Sequence, residues 1–255
     1  MNPQTIIKEI FESNSVTDAN GNSYRLDSNI DESEGNFLAD LIRRFKPKQT
    51  IEVGCAYGLS SLYISSVLAE IPGAHHTIID PCQSEYFHNI GINHLQKANF
   101  NAFTFYEEVS EIVLPGLLKE GKKFDLSFID GDHRLEHVLI DFFYLNRMTD
   151  VGGIIVLDDV GIPAINKVVR YILNFPAFKV IGHVPYKTSG KRELVEAVIK
   201  KPLNLVSKLI PSKMRYEIFA PGIIKSNKEL GLNSSMIAFQ KVDEDKRTWD
   251  WYKDF

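Results

Sequence analysis

Segments with the composition of β-strands alternate with longer segments that have helical spacing over most of this chain. Between residues 50 and 184, six strand-like segments are separated by five helix-like ones, and a seventh strand-like segment follows near the end. This alternation is typical of parallel strands joined by crossover helices. Apolar runs such as Ile154–Leu157 show no polar alternation, as expected for strands covered on both faces. We therefore predict an α/β fold with a doubly wound, mostly parallel sheet of seven strands.

The predicted boundaries follow from the same periodicities. Strands are predicted at residues 50–54, 76–80, 102–106, 124–130, 153–158, 179–184 and 235–242, and helices at 60–68, 87–97, 111–118, 133–148 and 164–174. Two earlier helices, at 3–13 and 34–45, predict an N-terminal helical cover over residues 1–46. The rest of the predicted single domain, 1–255, is divided into a core (47–185), an insertion before the last strand (186–232), and the last strand with a C-terminal tail (233–255).

The predicted insertion differs in charge from the rest of the chain. The whole chain has a net charge of -4, which does not favour binding to nucleic acid. Residues 183–232, however, contain ten basic and four acidic side chains, a net charge of +6. We interpret this stretch as a basic helical lid that favours an anionic or amphiphilic ligand. A dimer contact, loose binding at a membrane surface and an ordinary solvated surface are the alternatives.

The chain shows no signal for export or membrane insertion. Its first twelve residues mix Lys8 and Glu9 into an amphipathic run, and no apolar run of about 20 residues could span a bilayer. The two cysteines, Cys55 and Cys82, do not suggest a disulfide framework. We therefore expect a cytoplasmic protein without a transmembrane segment.

Glycines, or side chains that could bind a ligand or take part in catalysis, follow four of the predicted strands. Open parallel sheets bind ligands beyond the carboxyl ends of their strands, so these positions predict the active site. They are Glu52, Gly54 and Gly58 at the first strand, Asp80 after the second, Asp130, Asp132 and His133 after the fourth, and Asp158 and Asp159 after the fifth.

The first of these loops reads E-x-G-x-x-x-G, from Glu52 to Gly58. Glycine lets a backbone turn sharply and approach a ligand closely. A nicotinamide dinucleotide loop would read G-x-G-x-x-G, so this spacing disfavours an oxidoreductase. Asp80 is placed to accept hydrogen bonds from ribose hydroxyls. The alternatives are a tight strand-to-helix turn for the glycines and a helix cap before Pro81 for Asp80.

From about residue 31 to 160 the sequence resembles the class I S-adenosylmethionine-dependent methyltransferases, and most closely the small-molecule O-methyltransferases. The resemblance implies a Rossmann-like methyltransferase fold, S-adenosylmethionine as cofactor, a hydroxylated small molecule (sugar, glycoside or phenolic) as acceptor, and a homodimer. Asp80 would then bind the ribose, and Ser110 would lie beside the adenine. The cofactor residues implied by the resemblance are Glu52, Gly54, Ala56, Gly58, Ser60, Asp80, Ser110 and Asp130.

The acidic residues after the fourth and fifth strands resemble a magnesium site. Catechol-type and macrocin-type sugar O-methyltransferases place one Mg²⁺ on an aspartate and an acidic pair, and Asp130, Asp158 and Asp159 match those positions. Oxygen ligands suit Mg²⁺, and clustered carboxylates repel one another without a cation. Alternatively, Asp130 contacts only the cofactor while the other two cap the next helix, and the enzyme is a metal-independent methyltransferase.

Methyl transfer to a hydroxyl also needs a group that accepts a proton. Asp132 and His133 are the candidates. Sugar-type members have an aspartate at position 132, whereas catechol-type members have a lysine at position 133. An imidazole ordinarily titrates near neutrality, which suits a base, although His133 could instead make a structural hydrogen bond. A non-catalytic module that binds S-adenosylmethionine is a further alternative.

Overall fold

The computed structural model of the chain describes residues 1–186, 227, 230–253 and 255. Helices and strands alternate through most of this part, as predicted. The elements in chain order are α1 (Pro3–Ser13), β1 (Ser15–Thr17), β2 (Ser23–Arg25), α2 (Glu32–Phe45), β3 (Gln49–Val53), α3 (Leu59–Leu68), β4 (His75–Ile79), α4 (Ile90–Lys97), β5 (Phe103–Tyr106), α5 (Ser110–Lys119), β6 (Leu126–Ile129), α6 (Leu135–Met148), β7 (Ile154–Leu157), α7 (Pro163–Leu173), β8 (Phe178–Pro185) and β9 (Ser234–Lys241).

Seven strands form one sheet in the order β5-β4-β3-β6-β7-β9-β8. Strands β3 to β7 are parallel, and β9 lies antiparallel between β7 and β8. The predicted doubly wound, mostly parallel sheet is therefore confirmed. The chain winds outward from β3 through β4 to β5 and then returns to the other side of β3 with β6. Ligands of open α/β sheets bind at this kind of switch point.

The helices cover both faces of the sheet. One apolar cluster joins the strands to α1–α4, and a second joins them to α5–α7. Alternate residues of β7 enter different clusters: Ile154 and Val156 enter the first, and Ile155 and Leu157 the second. All four are buried, and each such side chain contributes about 1.5–3 kcal/mol to folding. This two-sided burial explains why the strand has no polar residues.

The N-terminal cover contains both predicted helices. Helix α2 begins two residues earlier than predicted because Asp31 and Glu34 form a capping box. Asp31 Oδ1 accepts a hydrogen bond from Glu34 N at 2.9 Å, and Glu34 Oε2 accepts one from Asp31 N at 2.7 Å. The small hairpin of β1 and β2 was not predicted, because strands of three residues show too little periodicity.

Most of the predicted insertion 186–232 lies outside the described residues. The division of the chain into cover, core, insertion and tail therefore stays a prediction. The two ends of this stretch are joined in the structure, since Tyr186 N donates a hydrogen bond of 3.0 Å to Asn233 O. In the described part of the chain, no helix has the length and apolarity needed to cross a membrane.

Candidate active site

A cavity of about 640 Å³ lies at the carboxyl ends of the central strands, where the winding reverses. Two predicted residues, Glu52 and Gly58, do not line this cavity. Three residues of the N-terminal segment, Ser28, Asn29 and Ile30, form part of the wall and were not predicted. The predicted residues that do line it are Gly54, Ala56, Ser60, Asp80, Ser110, Asp130, Asp132, His133, Asp158 and Asp159.

The two glycines of the first loop serve different contacts. Gly54 has a φ of +88°, and a Cβ at this position would overlap the carbonyl oxygen of Asp130. Gly58 has a φ of +82°, and its Cβ would lie 2.7 Å from the Cα of Gly91 in α4. Both positions favour glycine because other residues rarely adopt this backbone conformation. Gly54 thus brings the loop against β6 at the cavity, whereas Gly58 allows close packing between helices.

Asp80 holds the first loop in place. Its Oδ2 accepts hydrogen bonds from the backbone N of Cys55 at 2.9 Å and of Ala56 at 2.8 Å, and from the Gln83 side chain at 3.1 Å. Its Oδ1 accepts one from Cys82 N at 2.8 Å. A carboxylate has about four acceptor positions, so a ribose hydroxyl would have to share an oxygen with these donors. The visible role of Asp80 is to fix the loop beside the cavity.

Glu52 lies in a fully buried polar network behind the cavity. The hydroxyls of Ser60 and Ser61 donate to its two carboxylate oxygens, and His76 Nε2 lies 3.1 Å from Oε2. His76 Nδ1 in turn lies 2.9 Å from Thr50 Oγ1. Glu52 therefore contacts the cavity wall through Ser60 rather than reaching the cavity itself.

Asp130, His133 and Asp159 form a cluster that could hold a metal ion. One ligand atom from each lies within 4.8 Å of the others. His133 Nε2 is 3.3 Å from Asp159 Oδ2 and 3.7 Å from Asp130 Oδ1. The sequence-based set had Asp158 in place of His133. Asp158 lies beside this cluster in the cavity wall, is 7% exposed, and has no hydrogen-bond partner for Oδ1 among the described residues.

The carboxylates at this end of the cavity raise one another's pKa values. Burial raises the pKa of Asp130 well above its usual range, and the charges of Asp159, Glu52 and Glu34 raise it further. Burial, followed by the charges of Asp130 and Glu34, does the same to Asp158. A group of partly buried carboxylates that repel one another favours either bound protons or a cation.

Glu34 is a fourth carboxylate near this cluster, and sequence reasoning did not find it. Burial is the main cause that raises its pKa, and the charges of Asp31 and Asp159 add to the effect. The signal in the sequence was the pair of acidic residues Asp31 and Glu34, three positions apart, which indicates the start of a helix rather than an active-site residue. Its place beside the strand ends depends on how α2 packs across the sheet.

The two candidate bases have different surroundings. Arg134 hydrogen-bonds the carboxylate of Asp132 through Nε at 3.0 Å and 2.9 Å, and this contact lowers the pKa of Asp132 to about 2. A carboxylate that acidic is a weak proton acceptor near neutral pH. His133, in contrast, lies within the acidic cluster. Neither residue is established as the base, and both assignments stay predictions.

Ser110 lies at the other end of the cavity, at the start of α5. Its hydroxyl lies near the carboxylate of Asp141 in α6, which is 1% exposed, and this neighbour lowers the Asp141 pKa. Burial is the main cause that raises the pKa of Asp141 to about 6. Nothing in the sequence indicates this contact, because Asp141 occupies an ordinary helical position 31 residues after Ser110.

Comparison with known proteins identifies the fold family. Residues 51–160 match the family model described as a methyltransferase domain. The chain thus carries a methyltransferase domain over residues 51–160. The matched segment runs from β3 to the end of the loop that carries Asp158 and Asp159, so it contains every predicted residue that lines the cavity.

Two similar proteins come from Arabidopsis thaliana. Tapetum-specific methyltransferase 1 is 29% identical over 156 residues, which is 60% of this chain and 63% of that protein. A second protein, whose name assigns it provisionally to the caffeoyl-CoA O-methyltransferases, is 29% identical over 141 residues, 54% of this chain and 57% of its own length. The chain therefore spans less than two thirds of either relative.

Solved structures confirm the fold. The O-methyltransferase of Bacillus cereus in complex with S-adenosylhomocysteine superposes with a TM-score of 0.57 at 19% identity, covering 69% of this chain and 82% of that one. The O-methyltransferase TomG of Streptomyces achromogenes, in complex with S-adenosylmethionine, gives 0.54 at 18% identity over 60% and 74% of the two chains. The described sheet is thus the Rossmann-like methyltransferase fold.

Proposed function

We propose that this methyltransferase transfers the methyl group of S-adenosylmethionine to a hydroxyl of a small molecule, with the help of a divalent cation. The observation that carries this proposal is the cavity at the switch point of the sheet. One end is formed by the glycine loop, Asp80 and Ser110, and the other by the cluster of Asp130, His133 and Asp159. A cofactor at the first end would present its methyl group toward an acceptor at the second.

The cofactor end offers groups suited to a nucleoside. Gly54 brings backbone close to the cavity without a Cβ. Asp80 accepts four hydrogen bonds, two of them from backbone N–H groups of the neighbouring loop. Ser110 offers a hydroxyl in the wall. S-adenosylmethionine, when bound, supplies an electrophilic methyl group on a sulfonium. The chain's own contribution would be to position that group and exclude water from it.

The residues at the acceptor end fit a divalent cation. Asp130 and Asp159 offer oxygen ligands, His133 offers nitrogen, and Asp158 has a buried oxygen without a partner in the described part of the chain. Oxygen ligands suit Mg²⁺, and the imidazole also suits ions such as Mn²⁺ or Fe²⁺. The ion would make an acceptor hydroxyl more acidic. In this arrangement His133 would serve as a ligand, and the proton would leave through another group or through solvent.

The acceptor class is proposed from the family and the charge pattern. Sugars, glycosides and phenolics all present hydroxyls that could bind beside a metal, and one relative is named for a caffeoyl-CoA substrate. The basic residues that favour an anionic acceptor lie in the predicted insertion, outside the described residues. The homodimer and the cytoplasmic location likewise stay predictions.

A methyl-transfer assay with a panel of catechols and glycosides tests the proposal, run with added Mg²⁺ and with chelator. We expect turnover that chelator removes, and loss of activity in Asp159→Ala but not in Asp27→Asn, which removes an exposed carboxylate outside the cluster. Full activity in chelator would favour the metal-independent alternative. Tight S-adenosylhomocysteine binding in calorimetry without turnover on any acceptor would favour a non-catalytic module.

A further inference from the structure

The carboxylate of Glu52 is surrounded by three hydrogen-bond donors in the buried network behind the cavity. Its Oε1 accepts a hydrogen bond from the Ser60 hydroxyl, and its Oε2 accepts one from the Ser61 hydroxyl. His76 Nε2 lies 3.1 Å from Oε2. A carboxylate only accepts hydrogen bonds, so the hydrogen of this third contact lies on Nε2. Burying a carboxylate is unfavourable unless donors surround it, and His76 supplies one of these donors.

The imidazole of His76 is held from its other side as well. Its Nδ1 lies 2.9 Å from Oγ1 of Thr50, the residue directly opposite in the neighbouring strand β3. The side chains of His76 and Glu52 are both fully buried. Contacts at both ring nitrogens therefore fix the imidazole with Nε2 toward Glu52. The adjacent His75 is partly exposed and its Nε2 lies 2.8 Å from Thr104 Oγ1 in β5, so it takes no part in this network.

The hydrogen bond to Glu52 determines what Ser60 offers to the cavity. Ser60 lines the cavity, whereas Ser61 does not. A serine hydroxyl has one hydrogen and two lone pairs. Because Ser60 donates its only hydrogen to Glu52, its hydroxyl faces the cavity as an acceptor. It is suited to an N–H or O–H group of a ligand and unsuited to a carboxylate.

The charge behind Ser60 favours a cationic donor. The Glu52 carboxylate is separated from the cavity only by the Ser60 hydroxyl, and buried charges are weakly screened by solvent. S-adenosylmethionine carries one cationic nitrogen, the α-ammonium of its methionine portion, which has three N–H donors. Its ribose hydroxyls and adenine amino group are neutral. Of the donors on this cofactor, the ammonium is therefore the best match for Ser60.

We propose that His76 positions Glu52 and Glu52 positions Ser60, so that the Ser60 hydroxyl accepts a hydrogen bond from the α-ammonium of S-adenosylmethionine. Ser60 is the residue that contacts the cofactor. His76 and Glu52 are positioning residues, because they act on the cofactor through the Ser60 hydroxyl. This inference rests on the proposed function, which places the cofactor in the same end of the cavity.

Calorimetry with three ligands tests the contact with the ammonium. The ligands are S-adenosylhomocysteine, a deaminated analogue in which hydrogen replaces the α-amino group, and a decarboxylated analogue that lacks the α-carboxylate. The ammonium ratio is the factor by which the deaminated analogue binds more weakly than S-adenosylhomocysteine, and the carboxylate ratio is the same factor for the decarboxylated analogue. Ser60→Ala should lower the ammonium ratio about tenfold, as expected for a hydrogen bond to a charged group, and change the carboxylate ratio less than about twofold.

A pair of histidine variants tests the positioning role. In His76→Leu the carboxylate of Glu52 loses a donor and is expected to take up a proton, so it no longer attracts a cation. The ammonium ratio should fall about threefold or more, whereas His75→Leu should leave it within about twofold. His76→Gln keeps an N–H that can donate to Glu52 and should restore the ratio. In a Ser60→Ala background, His76→Leu should lower the ratio no further, because its effect passes through Ser60.

Glu52→Gln provides a second test that does not depend on the folding of His76→Leu. Glutamine keeps the shape of the side chain and removes its charge. This variant should lower the ammonium ratio about as much as Ser60→Ala does. An unchanged ammonium ratio in Glu52→Gln would overturn the proposal.

The outcomes separate this inference from the proposed function. If the parent protein binds none of the three ligands, the cofactor site and the inference are both wrong. If it binds S-adenosylhomocysteine and the deaminated analogue equally well, the cofactor site stands and the ammonium contact is wrong. A fall in the carboxylate ratio instead of the ammonium ratio in Ser60→Ala would show that Ser60 donates to the ligand. If His76→Leu weakens all three ligands equally, or still lowers the ammonium ratio in the Ser60→Ala background, His76 does not act through Ser60.

Discussion

Replacing Asp141 by asparagine should change the pH dependence of stability. Asp141 is 1% exposed, and its Oδ1 has no hydrogen-bond partner among the described residues. Burial is the main cause that raises its pKa from 3.8 to about 6, while the nearby Ser110 hydroxyl opposes the shift. The folded protein therefore holds the proton more tightly than the unfolded chain does.

The expected size follows from the pKa difference. Each pH unit of difference corresponds to about 1.4 kcal/mol, so ionising Asp141 costs the folded state about 3 kcal/mol. Because the pKa is raised on folding, this contribution to stability is complete below about pH 4 and is lost as the pH rises through about 6. Asparagine cannot ionise and lacks this loss. Glu111, His137 and Asp132 also act on Asp141, and they remain present in the variant.

Urea unfolding between pH 4 and pH 8 measures the effect. Relative to the parent, Asp141→Asn should gain about 3 kcal/mol in free energy of unfolding between these limits. The buried amide can leave an N–H without an acceptor, which costs about 1–3 kcal/mol at every pH, so the slope of the difference matters and its offset does not. Asp27→Asn, at an exposed position, should show no such slope. If the difference in free energy of unfolding between Asp141→Asn and the parent changes by less than about 1 kcal/mol from pH 4 to pH 8, the reasoning is refuted.

Three further changes test the glycine loop, its aspartate and the sheet. Gly54→Ala should destabilise the fold by more than about 2 kcal/mol, because a Cβ overlaps the backbone of Asp130, directly after β6. Gly121→Ala, also at positive φ but with no atom near its Cβ, should cost less. Equal losses of stability in chemical denaturation would argue against the close approach. Asp80→Asn should weaken S-adenosylhomocysteine binding about tenfold in calorimetry, because charge-assisted hydrogen bonds to the loop are lost; unchanged affinity contradicts this. Lys241→Met should lower the free energy of unfolding by about 2 kcal/mol. The Lys241 ammonium donates to two carbonyl oxygens at the end of α6, at 3.0 Å and 2.8 Å. An unchanged free energy of unfolding would show that packing replaces these bonds.

The sheet could be predicted because its signals are local. Strands β6 and β7 are buried along their whole length, so β7 appears in the sequence as an uninterrupted apolar run and β6 is apolar except for Ser127. The helices between the strands differ from them in the period of their apolar residues and in length. The hairpin of β1 and β2 has neither signal, and its turn is held by Asp18, which accepts hydrogen bonds from the backbone N of Asn20 and Asn22.

The site could be predicted only as far as strand ends determine it. The rule that ligands bind beyond the carboxyl ends of parallel strands placed Asp130, His133 and Asp159 in one cavity. It could not show that Arg134 pairs with Asp132, which depends on side-chain conformation. It also could not find Glu34, which reaches the strand ends from a helix packed across the sheet.

The hydrogen bond between Tyr186 and Asn233 bears on how such a protein can diversify. The chain leaves the sheet at Tyr186, whose ring lies against Gly161 near the acidic cluster, and rejoins it at Asn233, the partner of that hydrogen bond. With the two ends fixed together, doubling the length of the chain between them costs only about 0.6 kcal/mol in loop closure. Insertions, deletions and exchanges there leave the register of β8 and β9 intact. The chain between these two ends could therefore change in length or sequence during evolution without disturbing the strands on either side.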